Sequence, residues 1–355
     1  MRSGKSLEKA FEQKLKEQVG DPLLYAPAQK LCVFHRGKVA FRWETGEDFF
    51  YFDLASLTKI LFSASLWMRL LQSSSLSVTR PVRDSLPWWK GGAEVSLKDL
   101  LTHSAGLTWW KPYFERIGKG FSHDRAWGKL RNLLSVERPQ GEAPYAAVYS
   151  DLDLFYLGFI AEEIAGKNLF DLWLELKNQM GFSDLHFREA APSIKESSLY
   201  APTGFSKWRG RFLQGEVHDD NAAALGGMAP HAGLFGGLKD LESYVRHLRQ
   251  LWQGEADRDI KPEIFREFTR LQTPRARGDF GYLFWKPTKG ASSSGKYFDE
   301  SAFGHTGFTG TSLWCDPQKD LAVIFLTNRV AYEAELDQFR SYRPLVHDLV
   351  CEVIF

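Results

Sequence analysis

Segments that read as β-strands gather at the two ends of this 355-residue chain, and that separation constrains its fold more than any other feature. Near the start, Leu31 to Phe34 and Val39 to Trp43 flank His35-Arg36-Gly37-Lys38, whose glycine suits a tight connection, so the pair reads as a β-hairpin. A third strand is expected through Phe49 to Phe52. Near the end, Phe280 to Lys286, Gly304 to Trp314 and Leu321 to Thr327 carry strand signals, with Asp316-Pro317 as the turn between the last two. Leu7, Phe11, Leu15 and Val19 recur every four residues among Lys and Glu, which makes the first segment an amphipathic helix in need of an apolar surface. Leu345, Val346, Leu349, Val350 and Val353 mark a final helix. From about residue 75 to Gly227 the pattern changes to helical segments broken by Gly, Pro and Trp-rich loops. The clearest is Leu152 to Ile164, opened by Ser150 with Asp153 three residues on, close to a capping box. These signals predict an α+β fold: an antiparallel sheet built from both chain ends with terminal helices, plus an inserted mainly helical region. The boundaries are drawn at 1–75 and 232–355 for the sheet and 76–231 for the insertion, with a cleft between them as the natural place for a site.

Composition narrows the function classes. A 44% hydrophobic chain with 14% aromatic residues can build a substantial core. Its 45 basic and 44 acidic residues leave a net charge of +1, so neither nucleic acid nor an anionic membrane is favoured as the partner, and a small molecule fits better. Cys32, Cys315 and Cys351 are odd in number and far apart, which argues for buried thiols against a disulfide framework or a zinc knuckle. Met1 to Val19 is charged throughout and lacks a secretory apolar region, and no apolar run approaches the ~20 residues that cross a bilayer. As it stands the sequence is expected to be cytoplasmic; removal of a signal segment would place it in the periplasm or outside the cell. Oligomeric state is left open. Ala291-Ser292-Ser293-Ser294-Gly295 reads as an exposed loop.

Three short strings carry the chemistry: Ser56-Leu57-Thr58-Lys59, Tyr149-Ser150-Asp151 and His305-Thr306-Gly307. The S-x-x-K pattern also occurs at Ser6 to Lys9 and Ser293 to Lys296, but only Ser56 follows a run of strand formers and opens an apolar helix, with Ile60, Leu61, Ala64, Trp67, Met68 and Leu71 at helical spacing. In a first turn, free backbone N–H groups and the helix dipole favour negative charge on Ser56. Lys59 then lies on the same face, its Cβ roughly 5–6 Å away, where an amine can assist proton removal. Taken alone, Ser56 is an N-cap and Lys59 a surface residue. A tyrosine with an ordinary pKa near ~10 acts as a base only beside a cation, and Lys59 can be that cation; the bland reading packs Tyr149 in a core and leaves Ser150 and Asp151 as caps. The glycines of Gly304 to Gly310 allow close backbone approach, or else His305 packs passively on an edge strand. His218, Asp219 and Asp220 invite a metal reading, but adjacent positions rarely converge on one ion, and no metal is expected. Trp88, Trp89, Trp109, Trp110 and Trp127 are either core or a platform for sugar rings, core being the commoner case. His123 and Asp124 are expected at the surface.

The three strings in this order resemble the penicillin-recognising serine hydrolases: class C β-lactamases, serine D,D-carboxypeptidases, D-aminopeptidases and related esterases. Leu100-Leu101-Thr102-His103-Ser104-Ala105-Gly106-Leu107, His231-Ala232-Gly233-Leu234-Phe235 with Asp240-Leu241, and Gly304 through Asn328 extend the resemblance, which spans about Leu31 to Asn328. It implies a β-lactamase-like fold and a two-step acyl transfer without cofactor. Ser56 would be the nucleophile, Lys59 and Tyr149 would share the proton transfer, and the N–H groups of Ser56 and Phe308 would form the oxyanion hole. Asp151, His305, Thr306 and Gly307 would bind substrate. His305 stands where many relatives carry lysine, offering a cation or donor to a substrate carboxylate. Asp151 replaces the usual asparagine; an ionised carboxylate only accepts hydrogen bonds, should hold Lys59 protonated and should shift the base role toward Tyr149. Weak or no β-lactam hydrolysis follows. Trp208-Arg209-Gly210-Arg211 and the string Gly215 through Gly227 resemble a branch that processes cell-wall muropeptides, implying an amide or ester in a peptidoglycan fragment. The alternative from another class is a catalytically idle relative that binds cell-wall fragments or a protein partner.

Overall fold

A computed structural model describes every residue except 1–2, 75, 93, 141–144, 189–195, 256–259, 274–277 and 332–335. Residue 75, where the boundary between sheet and insertion is drawn, falls outside the described residues. The strands are β1 (Ala28–His35), β2 (Lys38–Gly46), β3 (Phe52–Asp53), β4 (His186–Phe187), β5 (Pro202–Ser206), β6 (Arg211–Gln214), β7 (Leu234–Gly236), β8 (Phe303–Thr306), β9 (Ser312–Asp316) and β10 (Leu321–Thr327). The principal helices are α1 (Gly4–Val19), α2 (Ser65–Ser73), α3 (Asp151–Ala165), α4 (Leu238–Trp252) and α5 (Leu336–Ile354).

Both chain ends contribute to one antiparallel sheet, ordered β2-β1-β10-β9-β8. The β1–β2 hairpin turns at Arg36 (φ 53°) and Gly37 (φ 75°), two successive left-handed residues whose twist matches the flanking strands. β10 lies at the centre, with Leu31 opposite Phe325 and Val33 opposite Val323. Side chains alternate between faces with period two. Leu31, Val33, Phe41, Trp43, Trp314, Val323 and Phe325 pack against Phe11 and Leu15 of α1 and Tyr342 and Val346 of α5. Cys32, Phe34, Ala322, Ile324 and Cys315 face the other way, toward Leu241, Tyr244, Val245 and Leu248 of α4. Because both faces are covered, β10 reads as an unbroken apolar run, not an alternating one. All three cysteines are buried and free. No helix among the described residues is long and apolar enough to cross a membrane.

Several local expectations need correction. The strand before Ser56 is only Phe52–Asp53, paired with β7 in a small sheet β3-β7-β4, and Tyr51 makes an isolated bridge to Tyr200. The segment Phe280 to Lys286 forms single bridges and no strand, and Gly304 to Trp314 is two strands separated by a turn at Gly307 to Thr311. The stretch after Ser56 is not one α-helix. It is a 3₁₀ turn at Ala55–Leu57, a π-helical stretch at Lys59–Ala64, and then α2. The wide π turn leaves the Ile60 carbonyl open, and the Tyr244 hydroxyl fills it at 2.8 Å. Ser150 does cap α3, accepting from the Leu152 N–H at 3.1 Å, but Asp153 turns inward to His103 and completes no capping box. The serine-rich loop is exposed only at its start: Ala291 is exposed and Ser292 and Ser293 are half-buried, but Ser294 is fully buried, and the Ser293 carbonyl meets the His347 ring. His123 is half-buried, with its Nδ1 2.7 Å from the Leu225 carbonyl. Trp89 and Trp127 belong to the core, whereas Trp109 is 59% exposed.

α1 is held by Phe11, fully buried against the rings of Phe41 and Trp43 at 5.6 and 5.4 Å. Phe11→Ala should destabilise the protein by about 3–5 kcal/mol in urea unfolding, from lost burial plus a cavity. A change below about 1 kcal/mol would show that α1 is not integral to the sheet's packing.

Candidate active site

Residues Tyr51 to Met68 are buried with one exception, Ser56. A serine that breaks the surface in an otherwise sealed stretch is placed there by its neighbours. Asp53, at the end of β3, accepts the Ala55 N–H at 2.8 Å with one carboxylate oxygen and the His218 N–H at 2.7 Å with the other. Ala55 is forced into a left-handed conformation (φ 46°), uncommon outside glycine and costly for a residue with a Cβ. The chain then tightens into the 3₁₀ turn, which presents Ser56.

Three side chains meet at its hydroxyl. Lys59 Nζ donates to Ser56 Oγ at 2.9 Å and to the His231 carbonyl at 3.1 Å. The Tyr149 hydroxyl donates to Ser56 Oγ at 2.8 Å. Asp151 Oδ1 lies 2.8 Å from Lys59 Nζ, and the Lys59 side chain is fully buried. Tyr149 and Asp151 come from the start of α3, whose loop is tied down by the Asp151 N–H to the Trp109 carbonyl at 3.0 Å. Ser56, Lys59, Tyr149 and Asp151 are therefore brought together, although the strings that carry them are distant in sequence.

Burial opposes the charge on Lys59, but Asp151 and Tyr149 outweigh it and raise its pKa above the ordinary value. Burial pushes the Tyr149 phenol up to about 12, more than Lys59 can offset. At neutral pH the cluster thus rests as an ammonium and a neutral phenol, with Ser56 Oγ accepting from both. A phenolate is not the resting form, and one proton must leave the Lys59–Tyr149 pair before it can take another.

The third string lies alongside. His305 is fully buried in β8, with Nδ1 2.8 Å from the Thr306 carbonyl and its ring 5.7 Å from that of Tyr149. Burial, with Lys59 adding to it, drives its pKa far below the ordinary value. Of the two expected roles toward a substrate carboxylate, cation or donor, the cation is not what this site holds at neutral pH: the imidazole is neutral. With Nδ1–H committed to the carbonyl, Nε2 can only accept. Gly307 admits no side chain: a Cβ there would sit 2.8 Å from the Leu54 carbonyl oxygen, so the turn rests directly on the backbone leading to Ser56. Phe308 is 52% exposed, its ring stacked on His218 at 5.4 Å. Its N–H finds no partner among the described residues.

Sequence reasoning missed two pairs that frame this cluster, one buried and one half-buried. His103 Nδ1 lies 2.9 Å from Asp153 Oδ2 and 3.3 Å from the Ser150 N–H, and the His103 carbonyl accepts the Val148 N–H at 2.8 Å. Burial pushes His103 down to about 3 and Asp153 well up, so an acid proton on Asp153 and the Ser150 N–H share one imidazole lone-pair nitrogen. The pair braces the loop that carries Tyr149. On the other side His231 Nε2 meets Asp219 Oδ1 at 3.0 Å, and against the opposing effect of burial His231 and the Ala222 N–H hold Asp219 down to about 2. Donor atoms of Asp151, Asp219 and His231 lie within 4.8 Å of one another, a grouping that could hold a metal ion. Each is already engaged, and a divalent ion would have to compete with the Lys59 ammonium. The motif string around His103 was visible in the sequence, but nothing local signalled its partner.

The sequence matches the family model described as Beta-lactamase over residues 9–344. It is 30% identical over 308 residues to an N-acetylmuramyl-L-alanine amidase of Bacillus subtilis, covering 78% of this chain and 68% of that one. It is 25% identical over 305 residues to a putative D-alanyl-D-alanine carboxypeptidase of Escherichia coli, covering 78% and 69%. Among solved structures it superposes on a hydrolase with promiscuous acyltransferase activity at a TM-score of 0.72 and 17% identity, covering 98% and 99%. A class C β-lactamase from Rhodobacter sphaeroides gives 0.65 at 19% identity, covering 97% and 99%. At such identities the solved structures speak for the fold.

Asp151 raises the pKa of both Lys59 and Tyr149. Asp151→Asn should therefore move the rising limb of the pH dependence of Ser56 labelling by a fluorophosphonate to lower pH, by roughly 1 unit or more. A limb that stays in place would mean that this carboxylate does not control the proton inventory.

Proposed function

The chain belongs to the beta-lactamase family of serine hydrolases, and we propose that its reaction is hydrolysis of an amide in a peptidoglycan fragment, first among them the bond joining the muramic acid acyl group to its peptide. The observation that carries this reading is the convergence of Lys59 and Tyr149 on Ser56 Oγ at 2.9 and 2.8 Å. An idle binder has no use for that arrangement.

Ser56 Oγ attacks the carbonyl carbon, and its proton passes to the Lys59–Tyr149 pair in its singly deprotonated form. The carbonyl oxygen becomes an oxyanion held by the N–H groups of Ser56 and Phe308. Collapse breaks the C–N bond, and the departing amine takes the proton from Tyr149. Water then attacks the acyl-enzyme, gives its proton to the same pair, and releases a carboxylic acid as Oγ recovers its hydrogen.

Substrate choice rests on three features. The relatives named amidase and carboxypeptidase point to peptidoglycan amides. Asp151 accepts hydrogen bonds and cannot donate, so it suits an acyl group that offers hydroxyl or N–H donors and not one read through an amide carbonyl. The neutral, buried His305 withholds the cation that a β-lactam carboxylate would seek. Trp109, exposed beside the backbone that holds Asp151 and stacked on Trp110 at 5.7 Å, offers a face to a sugar ring.

A fluorophosphonate should add once to the protein by intact mass, and Ser56→Ala should abolish the adduct; absence of any adduct on the unaltered protein would favour the idle binder. Muropeptides should be cleaved at the muramyl–peptide bond, with nitrocefin turned over slowly. Release of D-alanine alone would redirect the assignment to a carboxypeptidase. Trp109→Ala should raise KM for a muropeptide by roughly fivefold, about 1 kcal/mol of ring stacking, and leave a short-chain ester unaffected.

A further inference from the structure

The peptide that joins Gly307 to Phe308 is used on both of its edges. Its N–H, on Phe308, is the oxyanion donor of the reading above, and this inference rests on that reading. Its carbonyl, on Gly307, accepts two hydrogen bonds, one within the turn from the Gly310 N–H at 3.1 Å and a shorter one from Arg343 Nη2 at 2.9 Å, delivered by α5. A trans peptide is planar, so its C=O and N–H point in opposite directions, and fixing one aims the other. The rest of the turn adds to the constraint. The Gly307 N–H donates to the Thr311 carbonyl at 2.7 Å, and the Thr311 hydroxyl donates to the Leu54 carbonyl at 3.2 Å.

The charge on Arg343 is as telling as its position. No carboxylate among the described residues pairs with it, and its Nε is buried without a partner. It lies over the Phe339 ring at 5.3 Å. The charged neighbour is another cation, Arg329, whose guanidinium covers the Phe308 ring at 4.7 Å and the Phe339 ring at 5.4 Å. Burial and the charge of Arg329 hold Arg343 down to about 9. Bracing a carbonyl needs only a neutral donor such as an amide. Among the described residues these two guanidiniums have no countercharge, which destabilises the resting protein, and a tetrahedral oxyanion forming on the far side of this peptide would bring a negative charge toward them.

We propose that Arg343 is a positioning residue for the oxyanion hole: by gripping the Gly307 carbonyl it locks and polarises the Gly307–Phe308 peptide, so that the Phe308 N–H is aimed at the developing negative charge. A cation on the carbonyl strengthens the N–H at the other end of the same peptide, as in any hydrogen-bonded chain. No atom of Arg343 touches substrate in this account.

The test compares a tetrahedral mimic with a ground-state ligand. A boronic acid that adds to Ser56 forms a tetrahedral, negatively charged adduct, whereas a cleaved product occupies the same cleft without one. In Arg343→Met, boronate affinity and kcat should both fall roughly tenfold, a part of the ~100–1,000-fold that loss of a whole oxyanion donor costs. KM and product affinity should stay within about twofold, because neither depends on the oxyanion. Arg343→Gln, which keeps a donor without charge, should fall between, and Arg343→Lys should recover most of the loss. These two carry the decision if the Met variant does not fold by thermal melting. Equal losses for boronate and product, or no loss of either in folded variants, would overturn the role of Arg343 while leaving the hydrolase reading intact. Failure of the unaltered protein to bind boronate or take up a fluorophosphonate would strike the hydrolase reading first, and this inference with it.

Discussion

The ammonium of Lys59 is fully buried, and neutralising it is the condition on which both fold and site depend. An isolated cation in an interior costs several kcal/mol even after relaxation. Here its compensation comes from separate parts of the chain: the Asp151 carboxylate at the start of α3, the His231 carbonyl just before β7, the Ser56 hydroxyl three residues upstream, and the Tyr149 ring at 4.9 Å. None of these is adequate alone. The small sheet, the loop that carries Tyr149 into α3 and the strained turn at Ala55 must all be in place before the lysine is satisfied, so the arrangement that folds the middle of the molecule also sets out the groups that the proposed acyl transfer uses.

On the proposed reading, the charges are arranged across the scissile bond. Asp151 and Asp219 lie on the Lys59 side, and Arg329 and Arg343 lie behind the turn that presents the Phe308 N–H. A proton moving from Ser56 toward Lys59 and Tyr149 runs toward negative charge, while the electron pair shifted onto the carbonyl oxygen runs toward positive charge. Such a fixed field favours the transition state without reorganisation at the moment of reaction. The same Asp151 that contributes to it keeps the resting cluster over-protonated, which explains how a site with every element for nucleophilic attack can be slow toward substrates unable to donate to a carboxylate.

Much of the architecture was legible because its signals are local. The apolar repeat of α1, the hairpin around Gly37 and the apolar run of β10 announce themselves within a dozen residues, and the separation of strands to the chain ends leaves few ways to assemble them. Ser56, Lys59, Tyr149 and Asp151 could be named because their strings occur in a telling order. What could not be read depends on partners remote in sequence. A π-helical stretch follows Lys59 because Tyr244 reaches the Ile60 carbonyl; no pattern in residues 56–71 says so. The end of the serine-rich loop, at Ser294, is buried because the chain folds it against α5, next to His347. His305 looks like a substrate-binding cation or donor in one dimension and becomes a neutral acceptor once Trp285 and Tyr149 close around it. Arg343 gave no signal because a lone arginine on an amphipathic helix ordinarily faces water.

Where the molecule departs from good packing is itself informative. Buried polar atoms without partners include His103 Nε2, Asp153 Oδ1, His231 Nδ1, His305 Nε2, Arg329 Nε and Arg343 Nε. Each such group costs about 1–3 kcal/mol, and here they belong to residues framing Ser56 or the turn beside it, next to the left-handed Ala55 at φ 46°. A sequence under selection for stability alone would replace them, since apolar groups of similar shape satisfy a core at less cost. On the proposed reading, those beside the partly exposed Ser56 hydroxyl serve poise: imidazoles kept neutral, a peptide held at one angle, and an acceptor-only carboxylate beside the nucleophile. The stable two-faced sheet, with Phe11 and Leu15 on one side and Tyr244 and Leu248 on the other, supplies the surplus that makes such an unsatisfied cluster tolerable.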